Sequence, residues 1–313
     1  MKVNAFKANT VSIDSKTGEY RDPLLKWPLR GAAFSNEVGE ALRPLIGGYA
    51  TLTWVPALMY IGADIYDKYK NDQTEYSPNS KRLLKQAIFQ GTASILLPIA
   101  AVKLGQNMFS VFGKLGKDGI SINQKEKVGK IAEEFIANGQ MRAYQGKDEE
   151  CVKAFMDRVY NKLDFEKRAK AINNPIRKIF IRTQERLKIK NEKINKYAET
   201  TIRELIENRK LMLQPTEEFK STQAYKDYVN ALSNEQTKNV ATKSALTNFQ
   251  KNKMLKGKII KTIGGFLALG LLIKPIDTFV DEILIGKLLG PTIDNIKKTE
   301  NLKRKQKDEL IKE

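Results

Sequence analysis

The chain has 313 residues, 55 Lys and Arg against 36 Asp and Glu, a formal net charge of +19, one cysteine and no histidine. Without histidine, and with Cys151 as the single thiol, a zinc site built on His and Cys, a Ser-His-Asp triad, a Cys-His pair and an intramolecular disulfide are all excluded. The charge excess fits nucleic acid, anionic lipid or the positive-inside bias of a membrane protein, and does not by itself choose among them.

Apolar residues concentrate in 44–63, 86–102 and 259–276, while 115–255 is strongly polar. The first thirty residues carry Asp14 and Glu19 and no apolar core, so neither a secretory signal nor an Arg-rich transit peptide is expected. Asp22-Pro23 and Trp27-Pro28 break any helix there, and 1–29 reads as an irregular arm. The helical pattern begins near Ala33: Phe34, Val38, Ala41 and Leu42 share one face, and Asn36, Glu37, Glu40 and Arg43 take the others. Pro44 to Ala63 carries no charge, and at ~1.5 Å per residue it would span ~30 Å, the thickness of a hydrocarbon core. Gly47, Gly48, Ala50 and Ala57 suit close helix contacts in lipid, and Pro56 predicts a kink. Residues 71–80 form a turn, and Gln86 to Val102 is a second charge-free run between Lys85 and Lys103. The region 30–116 therefore reads as an antiparallel membrane hairpin, with Leu104–Leu115 as an interfacial extension.

The composition changes at Lys117, and 117–256 reads as an inserted basic helical domain. Val128, Ile131, Ala132, Phe135 and Ile136 make one apolar stripe, and Val152, Phe155, Val159 and Leu163 another. A long helix is predicted from Ile176 to Leu213, ending at Gln214-Pro215. The basic residues of the 117–256 insertion include Lys167, Arg168, Lys170, Arg177, Lys178, Arg182, Arg186, Lys188 and Lys190. No nucleic-acid module or interleaved stacking aromatics accompany them, so they read as a solvated face beside anionic lipid. The third apolar run, within 257–295, is closed by Lys274-Pro275 and followed by an amphipathic stretch expected to lie along the interface. A charged tail occupies 296–313.

Three patterns resemble the mitochondrial fission process protein 1 family. They are Ser-Asn-Glu-Val-Gly-Glu-Ala-Leu-Arg at 35–43, Ala-Asp-Ile-Tyr-Asp-Lys at 63–68, and Leu-Gly-Leu-Leu-Ile-Lys-Pro-Ile-Asp-Thr-Phe-Val-Asp at 269–281. The resemblance covers residues 30–115 and 255–295; the block 117–256 has no counterpart, and Lys274 stands where the family tends to have histidine. It implies a multi-pass protein of the mitochondrial inner membrane, or of the cytoplasmic (inner) membrane in a bacterial relative, concerned with membrane organisation or fission. The family-like residues are Asn36, Glu37, Gly39, Glu40, Arg43, Asp64, Asp67, Pro275, Asp277 and Asp281.

On physical grounds Glu40 and Arg43 form an i,i+3 pair beside the first apolar run. Asp64 and Asp67 end an apolar helix, where the helix dipole disfavours anions, so an ion pair with Lys68, Arg82 or Lys85 is expected to fix the hairpin. Asp277 and Asp281 repel at i,i+4 and call for a partner such as Arg43; two carboxylates make a poor metal site. No GxxxxGK[ST] loop or GxGxxG unit occurs. The expected protein is all-α: multi-pass membrane helices, as a hairpin plus a third membrane-embedded segment, with the inserted basic domain. It is expected to be non-catalytic, without metal, cofactor, nucleic acid or small-molecule substrate, and to contact anionic lipid head groups and other membrane proteins or copies of itself. Two alternatives stand beside this reading. One is a small transport or channel component, for which the apolar runs offer only Thr51, Thr53, Gln90, Thr92 and Ser94. The other is a soluble basic helical scaffold or nucleic-acid-binding protein.

Overall fold

Helices make up nearly all of the computed structural model, which describes residues 22, 24, 26–72, 75–76, 78–163, 184–234, 237–293 and 295. The N-terminal arm up to residue 21, the basic residues Lys167 to Arg182 and the tail 296–313 lie outside the described residues. Among the described residues the fold is all-α apart from a two-residue antiparallel ladder that pairs Asn71 with Tyr76 and Asp72 with Glu75. Three helical segments, Ser35–Lys70, Ser80–Leu115 and Lys238–Ile293, are long and apolar enough to cross a membrane. The chain divides into two compact units: Met1–Gln106 with Thr262–Glu313, and Asn107–Lys261.

In the first unit α1 spans Leu29–Ala33, α2 Ser35–Ile46 and α3 Trp54–Lys70, with a 3₁₀ segment Gly47–Thr53 between the last two. The charge-free stretch 44–63 is therefore not one rod. Gly47 has φ +59°, a conformation that suits glycine alone, and α2 ends there. The chain then doubles back, so that Ser35 Oγ donates to the carbonyl of Thr53 at 2.7 Å. Pro56 does not kink a helix interior. It occupies the first turn of α3, where the N–H it lacks would have had no intrahelical partner.

Helix α4 (Ser80–Phe89) follows, with Asn79 at its N-cap accepting from the N–H of Lys81 at 2.9 Å. A π-helical stretch, Gln90–Leu96, leads into α5, Leu97–Ser110. Helices α3 and α4 pack antiparallel, since Asp64 meets Gln86 and Gln90 while Asn71 O accepts from Arg82 Nη1 at 3.1 Å. The third apolar segment packs antiparallel to this second one. A Cβ on Gly105 would lie 2.2 Å from Gly264 O, Ala93 packs with Val280 and Ile285, and Gly290 lies beside Lys85. Small residues permit the Gly105–Gly264 approach, as in membrane helix pairs.

Pro275 does not close the third segment. The helix that contains it runs unbroken from Lys238 to Thr278 and continues as a π-helical stretch, Phe279–Leu289. A proline forfeits a single ladder bond, which packing on both sides of it outweighs here. The residues beyond Pro275 pack on the second segment through Val280 and Ile285 instead of lying apart.

The second unit holds α6 (Ile122–Ala137), α7 (Gln140–Ala143), α8 (Asp148–Leu163), α9 (Gln184–Leu213), α10 (Glu217–Lys220), α11 (Gln223–Ser233) and the start of α12 (Lys238–Thr278). Both predicted stripes are buried in one core, where the Phe135 and Phe155 rings meet edge to face at 5.4 Å. Ile194, Ala198, Ile202 and Leu205 of α9 complete it. Helix α9 ends at Leu213, ahead of Gln214-Pro215 as expected. Its predicted beginning, 176–183, lies outside the described residues.

Candidate functional site

Helix α2 turns its polar face inward. Asn36 is fully buried and Glu37 and Glu40 nearly so, while Phe34 and Val38 are 40% and 41% exposed. The spacing of 36, 37, 40 and 41 places these residues on one face of a helix. That face can approach closely because Gly39 has no side chain: a Cβ there would sit 1.8 Å from Thr53 Oγ1.

From Asn36 a chain of hydrogen bonds crosses three elements. Asn36 Nδ2 donates to the Ser94 carbonyl at 2.8 Å, Ser94 Oγ donates to Gln90 Oε1 at 2.6 Å, and Gln90 Nε2 donates to Asp64 Oδ2 at 2.5 Å. Gln86 Nε2 donates to the same Asp64 oxygen. Asp64, 4% exposed, is thus held by two amides, and among the described residues no cation pairs with it. The expected ion pair at Asp64 is replaced by neutral donors one helical turn apart on the facing helix, which stabilise a buried carboxylate without burying a second charge.

A second cluster lies further along α2. Glu40 accepts from Arg43 Nε at 2.7 Å and again from Arg43 Nη2, and its Oε1 accepts from Trp54 Nε1 at 3.0 Å. Gln106 Nε2 donates to the backbone carbonyl of Glu40 at 3.0 Å. The i,i+3 pair predicted from spacing is present. Arg43 therefore turns to Glu40, and not to Asp277 as the sequence suggested.

Asp277 instead lies within electrostatic range of Glu37. No hydrogen-bond donor among the described residues reaches the Glu37 carboxylate, and the buried Asn36 Oδ1 likewise has no partner among them. Asp67 accepts from Asn71 Nδ2 at 2.8 Å and has Lys68 at 3.7 Å, while Lys68 pairs with Asp22 at 2.7 Å. Asp281 is exposed and Pro275 is internal to α12. The structure thus joins Asn36 and Asp64 in one network, leaves Glu37 within electrostatic range of Asp277, and leaves Asp281 and Pro275 outside.

Gln86, Trp54 and Gln106 belong to the site although no pattern singled them out. For Gln86 a signal was present: 86, 90 and 94 recur every fourth residue, a polar stripe on an otherwise apolar helix. Among the described residues no group of three or more His, Cys, Asp or Glu is placed to hold a metal ion.

No protein-family model, curated protein or solved structure matches the chain. The class established here is a helical protein with three segments able to span a membrane by length and composition. The family resemblance rests on the three motifs alone.

Proposed function

We propose that the chain is an integral membrane protein of the mitochondrial fission process protein 1 type. In this reading it organises or remodels its membrane without catalysing a reaction, and carries 117–256 as a basic helical domain in the aqueous phase. The observation that carries the membrane reading is inverted burial. Asn36, Glu37, Glu40, Asp64 and Gln90 are inside, while Tyr49, Leu96 and Leu271 are 76%, 65% and 74% exposed. In water this arrangement loses on both counts; in lipid each group meets its preferred surroundings. Only 17%, 28% and 22% of the three apolar windows is covered by the protein itself.

Carbonate extraction of membranes from cells expressing the full chain tests the membrane reading. Retention in the pellet is expected; release into the supernatant would overturn it in favour of a soluble scaffold. The organising role is tested by imaging organelle or cell-membrane morphology at raised and lowered expression. Unchanged morphology in both arms would remove that role.

The transport reading is favoured by a separate observation, the chain of polar groups from Asn36 through Ser94 and Gln90 to Asp64. Solute or ion flux in liposomes holding the purified protein, abolished by Asp64→Leu, would establish it in place of the organising role.

A further inference from the structure

Arg142, Arg209, Lys238 and Lys243 converge on one cavity of about 430 Å³ in the Asn107–Lys261 unit, with Ile136 and Leu246 among its apolar walls. No acidic residue lines it among the described residues. Elsewhere in this unit cations are matched across helices: Arg203 to Glu149 at 2.8 Å, Lys261 to Glu126 at 2.6 Å, and Lys210 to Asp148. Arg142, Lys238 and Lys243 form no ion pair among the described residues. Arg209 Nη1 donates to the Met141 carbonyl and Nη2 to Gln145 Oε1 at 3.2 Å, two of the five N–H donors a guanidinium carries. Burial, and the neighbouring Arg142, hold Arg209 below the usual guanidinium range. Asp148 lies within electrostatic range of Arg209 but is paired with Lys210 and does not line the cavity, and four cations gathered on a wall without an acid are unfavourable unless something anionic offsets them. The first turn of α12, Lys238–Val240, also lines the cavity, and its backbone N–H groups have no intrahelical acceptor.

We propose that this cavity is a binding site for a phosphate monoester with an apolar portion, its phosphate between Arg142, Arg209, Lys238 and Lys243 and its apolar part against Ile136 and Leu246. Two guanidinium groups and two ammonium groups suit a dianion with three acceptor oxygens better than a carboxylate. The apolar walls favour an amphiphile over a bare ion. The site does not depend on the membrane reading.

The test is calorimetric titration of the purified full chain in neutral detergent with dihexanoyl phosphatidic acid, glycerol 3-phosphate and dihexanoyl phosphatidylcholine. Phosphatidic acid is expected to bind, glycerol 3-phosphate more weakly, and the choline lipid not at all. Equal or tighter binding of glycerol 3-phosphate would overturn the placement of an apolar portion against Ile136 and Leu246. Arg142→Glu with Lys243→Glu is expected to weaken binding by about tenfold or more, since charge-assisted bonds are lost and repulsion added. Lys153→Glu with Lys226→Glu, at exposed positions outside the cavity, is expected to leave affinity unchanged, which separates the site from the general pull of the +19 charge. Arg142→Gln with Lys243→Gln, at wild-type thermal stability, serves if the charge reversals unfold the protein. Absence of binding by either phosphate ligand, or equal loss in the cavity and control variants, overturns the proposal.

Discussion

Gly39 is fixed by contact, and the contact can be tested. Its missing Cβ would fall 1.8 Å from Thr53 Oγ1, so Gly39→Ala must push α2 off the 3₁₀ segment. The overpacking cost is about 1–3 kcal/mol, read as a lowered melting temperature in detergent, with partial rescue by Thr53→Ala. Asp64 allows a sharper comparison. Asp64→Leu strips the acceptor from the amides of Gln86 and Gln90, at roughly 1–3 kcal/mol for each donor left unsatisfied. Asp64→Asn keeps an oxygen there and is expected to lose less, so equal losses would show that the hydrogen bonds do not hold the hairpin. Burial pushes the Cys151 thiol up from 9.0 to about 11 and the Tyr197 hydroxyl up from 10.0 to about 12. Both are neutral acids whose folded pKa is raised, so their contribution is complete below pH 9 and drains away between pH 9 and about 12. Denaturant unfolding is expected to show falling stability across that window, and alkylation of native Cys151 at pH 8 is expected to lag far behind that of the unfolded chain.

Among the elements, α6 and α8 were legible because their apolar residues recur at helical spacing, and a core stripe in water has one meaning. Phe135→Ala is accordingly expected to cost about 3–5 kcal/mol, seen as accelerated hydrogen exchange in α6, α8 and α9. The two glycines at 47 and 48 looked like packing residues, yet one of them supplies the positive φ at which α2 ends and the chain reverses. Charge-free length records how much apolar chain there is, not its direction. Helix α2 shows a deeper ambiguity. Phe34 and Val38 mark an apolar face, and Asn36, Glu37 and Glu40 a polar one, but which faces inward depends on the surrounding solvent. The motif residues were therefore legible as a set while their partners on α4 and the π-helical stretch were not, since Asp64, Gln90, Ser94 and Asn36 meet across gaps that no local pattern spans. Pro275 misled for a related reason: proline predicts a stop in an isolated helix, whereas Ile276, Val280, Leu284 and Ile285 are held by neighbours beyond it.

At the scale of the whole molecule, the two units bury opposite kinds of side chain. The unit Asn107–Lys261 buries Phe135, Phe155, Ile202 and Leu205 in an ordinary core and pairs its surface charges, as a protein in water does. The other leaves Tyr49, Met59, Leu96 and Leu271 outward and carries its polar groups within. If the apolar segments of the Met1–Gln106 and Thr262–Glu313 unit are in lipid and the Asn107–Lys261 unit is in water, sealed vesicles of a single orientation should expose the latter on one side only. Trypsin added to that side is expected to remove the unit at its many lysines and arginines. It should leave two carbonate-resistant fragments, one reaching from near Arg30 to the α5 region and one from the Thr262 region toward Ile293. Trypsin on the other side is expected to leave the unit intact. Lys103, within the second apolar segment, should resist cleavage in the first experiment. Cleavage of the unit from both sides in sealed vesicles, or loss of the two resistant fragments, would falsify the placement of the apolar segments in the bilayer, and with it the hairpin on which the membrane reading depends.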